Sequence, residues 1–206
     1  MREALCIGRL QPYDEGVFLK GSSMISALLL IAILFQADAP TLLLPLIDND
    51  RVAVWDVATP AAARSFDSVL VSLSGSAAFV PKGTAPKFAG RSIVIELKGQ
   101  PVAPIENKTG YPLAFPRSGS KKILENARVI VWDYSWTPDE ATPMHFHDKD
   151  VVVVFLEDGD LKSTNLDGRV TVNSFKPGMV RFNLGDRTHT ETLIRGKQHA
   201  IITELK

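Results

Sequence analysis

The sequence predicts an all-β protein, a sandwich or barrel, and three observations carry that expectation. Beyond residue 40, Pro and Gly recur every eight to twelve residues between short runs of β-branched and aromatic residues, the spacing of strands joined by tight turns. Amphipathic helix of three turns or more is absent from the same region. Only "SKKILENA", Ser120–Ala127, could make a short helix. Third, the strand-like runs recur as similar strings in the same order, the mark of a duplicated β unit.

Taken along the chain, strands are expected at Val52–Val57, Ser68–Leu73, Ser92–Leu97, Arg128–Trp136, Val151–Leu156, Val170–Asn173, Val180–Leu184 and Ala200–Leu205. "NDRVAVWD" at Asn49–Asp56 matches "NARVIVWD" at Asn126–Asp133 at six of eight positions, an offset of 77 residues. "RSIVIELK", ending at Lys98, matches "HAIITELK", ending at Lys206, and "DSVLVSL" from Asp67 echoes "DVVVVFL" from Asp150. The copies are unequal, about fifty and eighty-one residues, so the first is expected to have lost a hairpin's worth of chain. The run Val151–Val154 does not alternate apolar with polar, which predicts a strand covered on both faces.

Composition narrows the function. With 206 residues and 45% hydrophobic content the chain can bury a real core. Formal net charge is zero and no dense basic run occurs, which sets nucleic acid aside as a partner. Cys6 is the only cysteine, excluding an intramolecular disulfide or a CxxC site. Any bound metal must therefore use histidine, carboxylate and water.

Near the start, the apolar stretch from about Ile25 to Phe35, Lys20 upstream and Ala37-Asp38-Ala39 after it read as a secretory signal peptide, with Met24 as a candidate true start. Eleven apolar residues fall short of the roughly 20 that span a bilayer as a helix, so no stable membrane span is expected after cleavage. The expected organisation is signal at 1–39, a degenerate metal-free half at 40–98, a Pro-rich linker at 99–125 and a site-bearing domain at 126–206. The expected location is the periplasm or the cell exterior.

"TPMHFHDKDVVVVFLEDG", Thr142–Gly159, places His145 and His147 two residues apart. Residues two apart on a strand share one face, so both imidazoles can address one ion while Phe146 packs oppositely. Alone, H-x-H equally describes two solvated polar residues. A third histidine strengthens the metal reading: "KPGMVRFNLGDRTHTETL" holds a Pro177-Gly178 turn, a strand, a Gly185-Asp186 turn and then His189, which can approach the pair from an adjacent strand.

Here the chain resembles the cupin superfamily of small β-barrels, whose motifs are G-x5-H-x-H-x3–4-E-x6-G and G-x5-P-x-G-x2-H-x3-N. His145, His147 and Gly159 fall on the first motif, and Gly185 and His189 on the second with one extra residue between them. The departures are Val151 and Val152 at the glutamate position, a missing leading glycine, and Leu193 in place of the closing asparagine. In the first copy "FVPKGTAPK" resembles the second motif with Pro86 at the histidine position. The resemblance implies a double-stranded β-helix barrel with a shorter, degenerate N-terminal repeat. It also implies a divalent transition metal at His145, His147 and His189, with iron(II) favoured and zinc, manganese, nickel and copper also suited to imidazole. Without the carboxylate, three neutral imidazoles leave such a site doubly positive. Sites of this kind look like those of thiol dioxygenases and diketone-cleaving dioxygenases.

The remaining polar and aromatic residues have more modest expectations. Asp150 is the nearest substitute carboxylate, Glu191 is expected in solvent or as an orienting acceptor, and His199 at a rim, aligned with Arg91 of the first copy. Trp132, Tyr134 and Trp136 share a strand face and are expected in the barrel core. Arg181 and Arg187 flank the ligand strand and are expected as solvated edge charges, with pairing to a substrate carboxylate as the alternative. Three functions compete: an exported metal-dependent oxidoreductase acting on a small organic molecule, a non-catalytic metal-binding or sensory module, and a structural barrel with incidental histidines. The resemblance also implies a homodimer paired through the sheets as one option for the oligomeric state.

Overall fold

The computed structural model describes residues 44–60, 62–86 and 90–206. The signal-peptide reading lies outside the described residues, and no helix among them is long and apolar enough to cross a membrane.

Five strands form the N-terminal copy: β1 (Ile47–Asp48), β2 (Val52–Val57), β3 (Ser68–Ser72), β4 (Ala77–Val80) and β5 (Ser92–Leu97). They make one antiparallel sheet in the order β1-β2-β5-β3-β4. The second copy contributes β6 (Ser120–Glu125), β7 (Val129–Trp136), β8 (His145–His147), β9 (Val151–Phe155) and β10 (Gly159–Asn165). It continues with β11 (Val170–Phe175), β12 (Val180–Asn183), β13 (Arg187–Gly196) and β14 (Gln198–Leu205). These strands make a second sheet, β12-β9-β14-β7-β6, and a third, β11-β10-β13-β8. Strands β7 to β14 pass between the second and third sheets in the antiparallel order of a jelly roll. This is the double-stranded β-helix that the sequence led us to expect.

The repeat is a repeat of structure. Val52, Ala53, Val54 and Trp55 pair with Leu97, Glu96, Ile95 and Val94. Val129, Ile130, Val131 and Trp132 pair with Leu205, Glu204, Thr203 and Ile202 in the same register. Side chains repeat as well. Asn49 Oδ1 accepts from the backbone N–H of Arg51 and Val52, and Asn126 Oδ1 from Arg128 and Val129. Trp55 Nε1 donates to Glu96 at 2.9 Å, and Trp132 Nε1 to Glu204 at 2.7 Å.

The first and second sheets pack against each other through equivalent faces. Their shared core contains Val52 with Val129, Val54 with Val131, Val69 with Val152, Val71 with Val154 and Ile93 with Ile201, all fully buried. Ion pairs cross this interface reciprocally: Arg51 Nε lies 3.1 Å from Asp150, and its counterpart Arg128 donates to Asp67 at 3.4 Å. Reciprocal contacts of this kind define an isologous interface, here formed within one chain. The four valines are covered twice, as expected: Val152 and Val154 face the shared core, while Val151 and Val153 face the barrel interior with Trp132, Trp136 and Ile202.

Two expectations are corrected. Residues 120–125 form a strand rather than a short helix, because β6 pairs with the edge of β7 and packs Ile123 and Leu124 on the shared core. The first copy has lost more than a hairpin. Residues 58–67, 73–76 and 81–91 stand where the second copy has β8, then β10 with β11, then β13, and no strand occurs among their described residues. Among the described residues the third sheet has no counterpart in the first copy.

Gly159, the motif glycine at the start of β10, is explained by space. A Cβ there would lie 2.5 Å from the Lys197 carbonyl and 3.0 Å from that of Arg195. Only glycine lets β10 approach the end of β13 so closely.

Candidate metal centre

His145 and His147 lie on β8 and His189 on β13, which pair so that His189 stands opposite His145 and Arg187 opposite His147. The three histidines project from one face of the third sheet into the barrel and are buried, at 2%, 7% and 4% exposure. Their ring centroids are 4.7 to 5.1 Å apart. One ligand atom from each lies within 4.8 Å of the others. Thus the geometry brings together all three histidines singled out by sequence.

Their tautomers are partly fixed. His145 Nδ1 is 2.7 Å from the Pro143 carbonyl, which can only accept, so the proton is on Nδ1 and Nε2 carries the lone pair. Arg117 Nη1 donates to that lone pair at 3.1 Å. The Ser163 hydroxyl holds His189 Nδ1 at 2.9 Å. Contacts of this type orient imidazoles as ligands. His147 Nδ1 is buried without a hydrogen-bond partner among the described residues.

The donor set fits a first-row divalent ion. Burial, reinforced by the Arg117 charge, lowers His145 to about 4. Burial and neighbouring Arg187 push His147 well down, and burial lowers His189 as well. All three are neutral at pH 7, the state a metal requires. His147 Nε2 and His189 Nε2 face each other at 3.0 Å, close enough that both would reach one ion.

The carboxylates are placed differently from the sequence expectations. Asp150 is turned away from the cluster, pairing with Arg51 and accepting from the Gly185 N–H at 2.9 Å. Glu191 is not in solvent: it is 18% exposed, accepts from Trp136 Nε1 at 3.1 Å and lies 3.6 Å from Arg117 Nη2. Burial alone would raise its pKa, but His189, Arg117, His145 and the Trp136 N–H outweigh that and hold it at about 2. Val151 lines the cavity near the position where the motif has glutamate. His199 is a rim residue bonded to Asp133 at 2.7 Å, the counterpart of Arg91 with Asp56. Trp132 and Tyr134 belong to the interior core, and Trp136 both packs there and lines the cavity.

Sequence reasoning missed Arg117. Its guanidinium is 9% exposed and lies 4.0 Å from the centre of the Tyr134 ring, between His145 and Glu191. It comes from the stretch expected as a linker, where Ala114 and Phe115 also enter the barrel core. The only signal was the apolar "PLAF" just before it in an otherwise polar segment.

Strand order and cluster together define a double-stranded β-helix jelly-roll barrel with three buried histidines. Similar solved structures include a cupin domain from Bordetella pertussis Tohama I, at 21% identity and TM-score 0.39, covering 48% of this chain and 98% of that one. A cupin 2 conserved barrel domain protein from Leptotrichia buccalis is similar at 13% identity and TM-score 0.45, covering 85% and 94%. A double-stranded β-helix cupin family protein from Methanocaldococcus jannaschii is similar at 11% identity and TM-score 0.36, covering 50% and 89%. No family model matches the chain, and no curated protein does.

Proposed function

We propose that the barrel binds one divalent transition metal, iron(II) by preference, through Nε2 of His145, His147 and His189, and acts on a small organic molecule as a dioxygenase-like oxidoreductase. The observation that supports this reading is the convergence of three neutral, buried imidazoles, two of which, His147 and His189, line a cavity of about 250 Å³. A ferrous ion there would supply dioxygen activation, and zinc would supply Lewis acidity. The chain's own residues orient the rings and shape the cavity. Pro143 and Ser163 hold two of the rings. Val151, Phe155 and Ile202 give the cavity an apolar wall. Arg117, paired with Glu191, places a fixed positive charge beside His145.

A non-catalytic metal- or ligand-binding module is the second reading. It is favoured by Glu191, whose carboxylate is already engaged by Arg117 and Trp136 and is held far below the range of a general base. Export to the periplasm or beyond belongs to the proposal through the sequence of residues 25–39, as does pairing of two chains.

Elemental analysis of purified protein tests the site. Near-stoichiometric metal is expected, falling to background in His189→Ala, with a melting temperature that drops on chelation. No uptake of iron(II), zinc, manganese, nickel or copper would sink the metal reading. Oxygen uptake with thiols, diketones and phenols separates the two functions: turnover selects the enzyme, and its absence from metal-loaded protein selects the module.

A further inference from the structure

The cavity beside the histidines has a charge imbalance that the cluster does not explain. Arg117 is matched by Glu191. Arg181 and Arg187 also line the cavity, and neither has a carboxylate within salt-bridge distance among the described residues. Arg187 is half-buried, its Nε donating to the Leu184 carbonyl at 3.1 Å. Leaving a guanidinium partly desolvated and unpaired is costly unless something anionic completes it.

The two arginines approach from opposite sheets. Arg187 is on β13, directly opposite His147, and Arg181 is on β12, opposite Val153. Asn173 and Asn183 line the same cavity and form no side-chain hydrogen bond among the described residues. Beyond them the lining becomes apolar and buried at Phe155, Leu161 and Phe175. Free cations and amides therefore adjoin a dry aromatic floor. Such a cavity suits a molecule with one charged end and an apolar body.

We propose that the cavity binds a small organic carboxylate of roughly ten non-hydrogen atoms, its carboxylate held between Arg181 and Arg187 and its apolar body resting against Phe155 and Phe175. This deepens the metal-site reading by naming the substrate class of the same cavity. Arg187 stands opposite a histidine of the cluster, so a carboxylate held there brings the atoms next to it toward the three imidazoles.

Calorimetric titration with hexanoate and benzoate, against hexanamide and benzamide, tests the assignment on zinc-loaded and on chelator-treated protein. Each carboxylate is expected to bind about tenfold or more tightly than its amide in both forms. Arg181→Leu and Arg187→Leu should each remove that preference, and Arg187→Lys should keep part of it. Arg181 is exposed, so its variant keeps the test sound if Arg187→Leu fails to fold. Equal binding of acid and amide, or full preference in both leucine variants, overturns the proposal. A preference confined to zinc-loaded protein and indifferent to both arginines also overturns it, while leaving the metal reading intact. Conversely, an arginine-dependent preference in protein that takes up no metal supports this proposal and defeats the metal reading.

Discussion

The first and second sheets share five strands in one order, one register and one set of side-chain devices, yet only the second sheet faces a third. The tryptophan–glutamate bonds, the asparagine turns and the crossed arginine–aspartate pairs occur in both copies. The crossed pairs serve the packing of one sheet on the other, while the tryptophan–glutamate bonds lie on the far face of each sheet, Trp132 in the barrel interior. The three clustered histidines lie on strands of the third sheet, which has no counterpart among the described residues of the first copy. What both copies keep reports architecture, and what one alone carries reports chemistry.

The largest effects should come from the shared core. Ile93→Ala and Ile201→Ala are expected to cost about 2–5 kcal/mol each, because both side chains are fully buried against the opposite sheet. Unfolding by denaturant, followed by fluorescence and by far-ultraviolet dichroism, should show one cooperative transition lowered in both variants. Two separate transitions would mean that the copies are independent bodies.

The tryptophan pair should behave unequally. Trp132→Phe leaves Glu204, 3% exposed, without its donor, at a cost of about 1–3 kcal/mol. Trp55→Phe should cost less, since Glu96 also has Arg64 at 3.7 Å. Equal losses in denaturation midpoint would remove this distinction. An opposite sign is expected at Thr203, whose counterpart in the first copy is Ile95. Its hydroxyl is fully buried with no partner among the described residues. Thr203→Val should therefore raise stability by about 1 kcal/mol, and a lower melting temperature would refute that.

The smallest effect is a slope. Burial raises the pKa of Glu204 despite the Trp132 N–H that opposes it. The folded state thus binds its proton more tightly than the unfolded state. The associated stability is fully present below an ordinary glutamate pKa near 4.5 and is lost as pH rises through the folded value. Glu204→Gln should flatten that dependence, so its stability relative to the parent should improve from pH 4.5 to 7. Parallel curves would show that Glu204 does not titrate differently on folding.

The sequence made legible those features that depend on neighbours along the chain. β2 and β5 fall at the expected bounds because alternating β-branched runs end at turn residues. His145 and His147 share a face through strand periodicity alone. What stayed hidden depends on distant partners. "SKKILE" could make a short helix and becomes strand only because an edge of β7 is free to receive it. Glu191 reads as a solvent residue until Arg117 and Trp136, far away in sequence, close around it. β10, "GDLKSTN", carries too many polar residues to announce a strand, and it is held by neighbours on both sides.

The crossed pairs, Arg51 with Asp150 and Arg128 with Asp67, have one more consequence. Two separate subunits joined by such contacts would dissociate on dilution, but here a continuous backbone tethers the partners, and docking is a unimolecular event at fixed effective concentration. The cavity beside the histidines is therefore backed by a partner surface that no drop in protein concentration can remove.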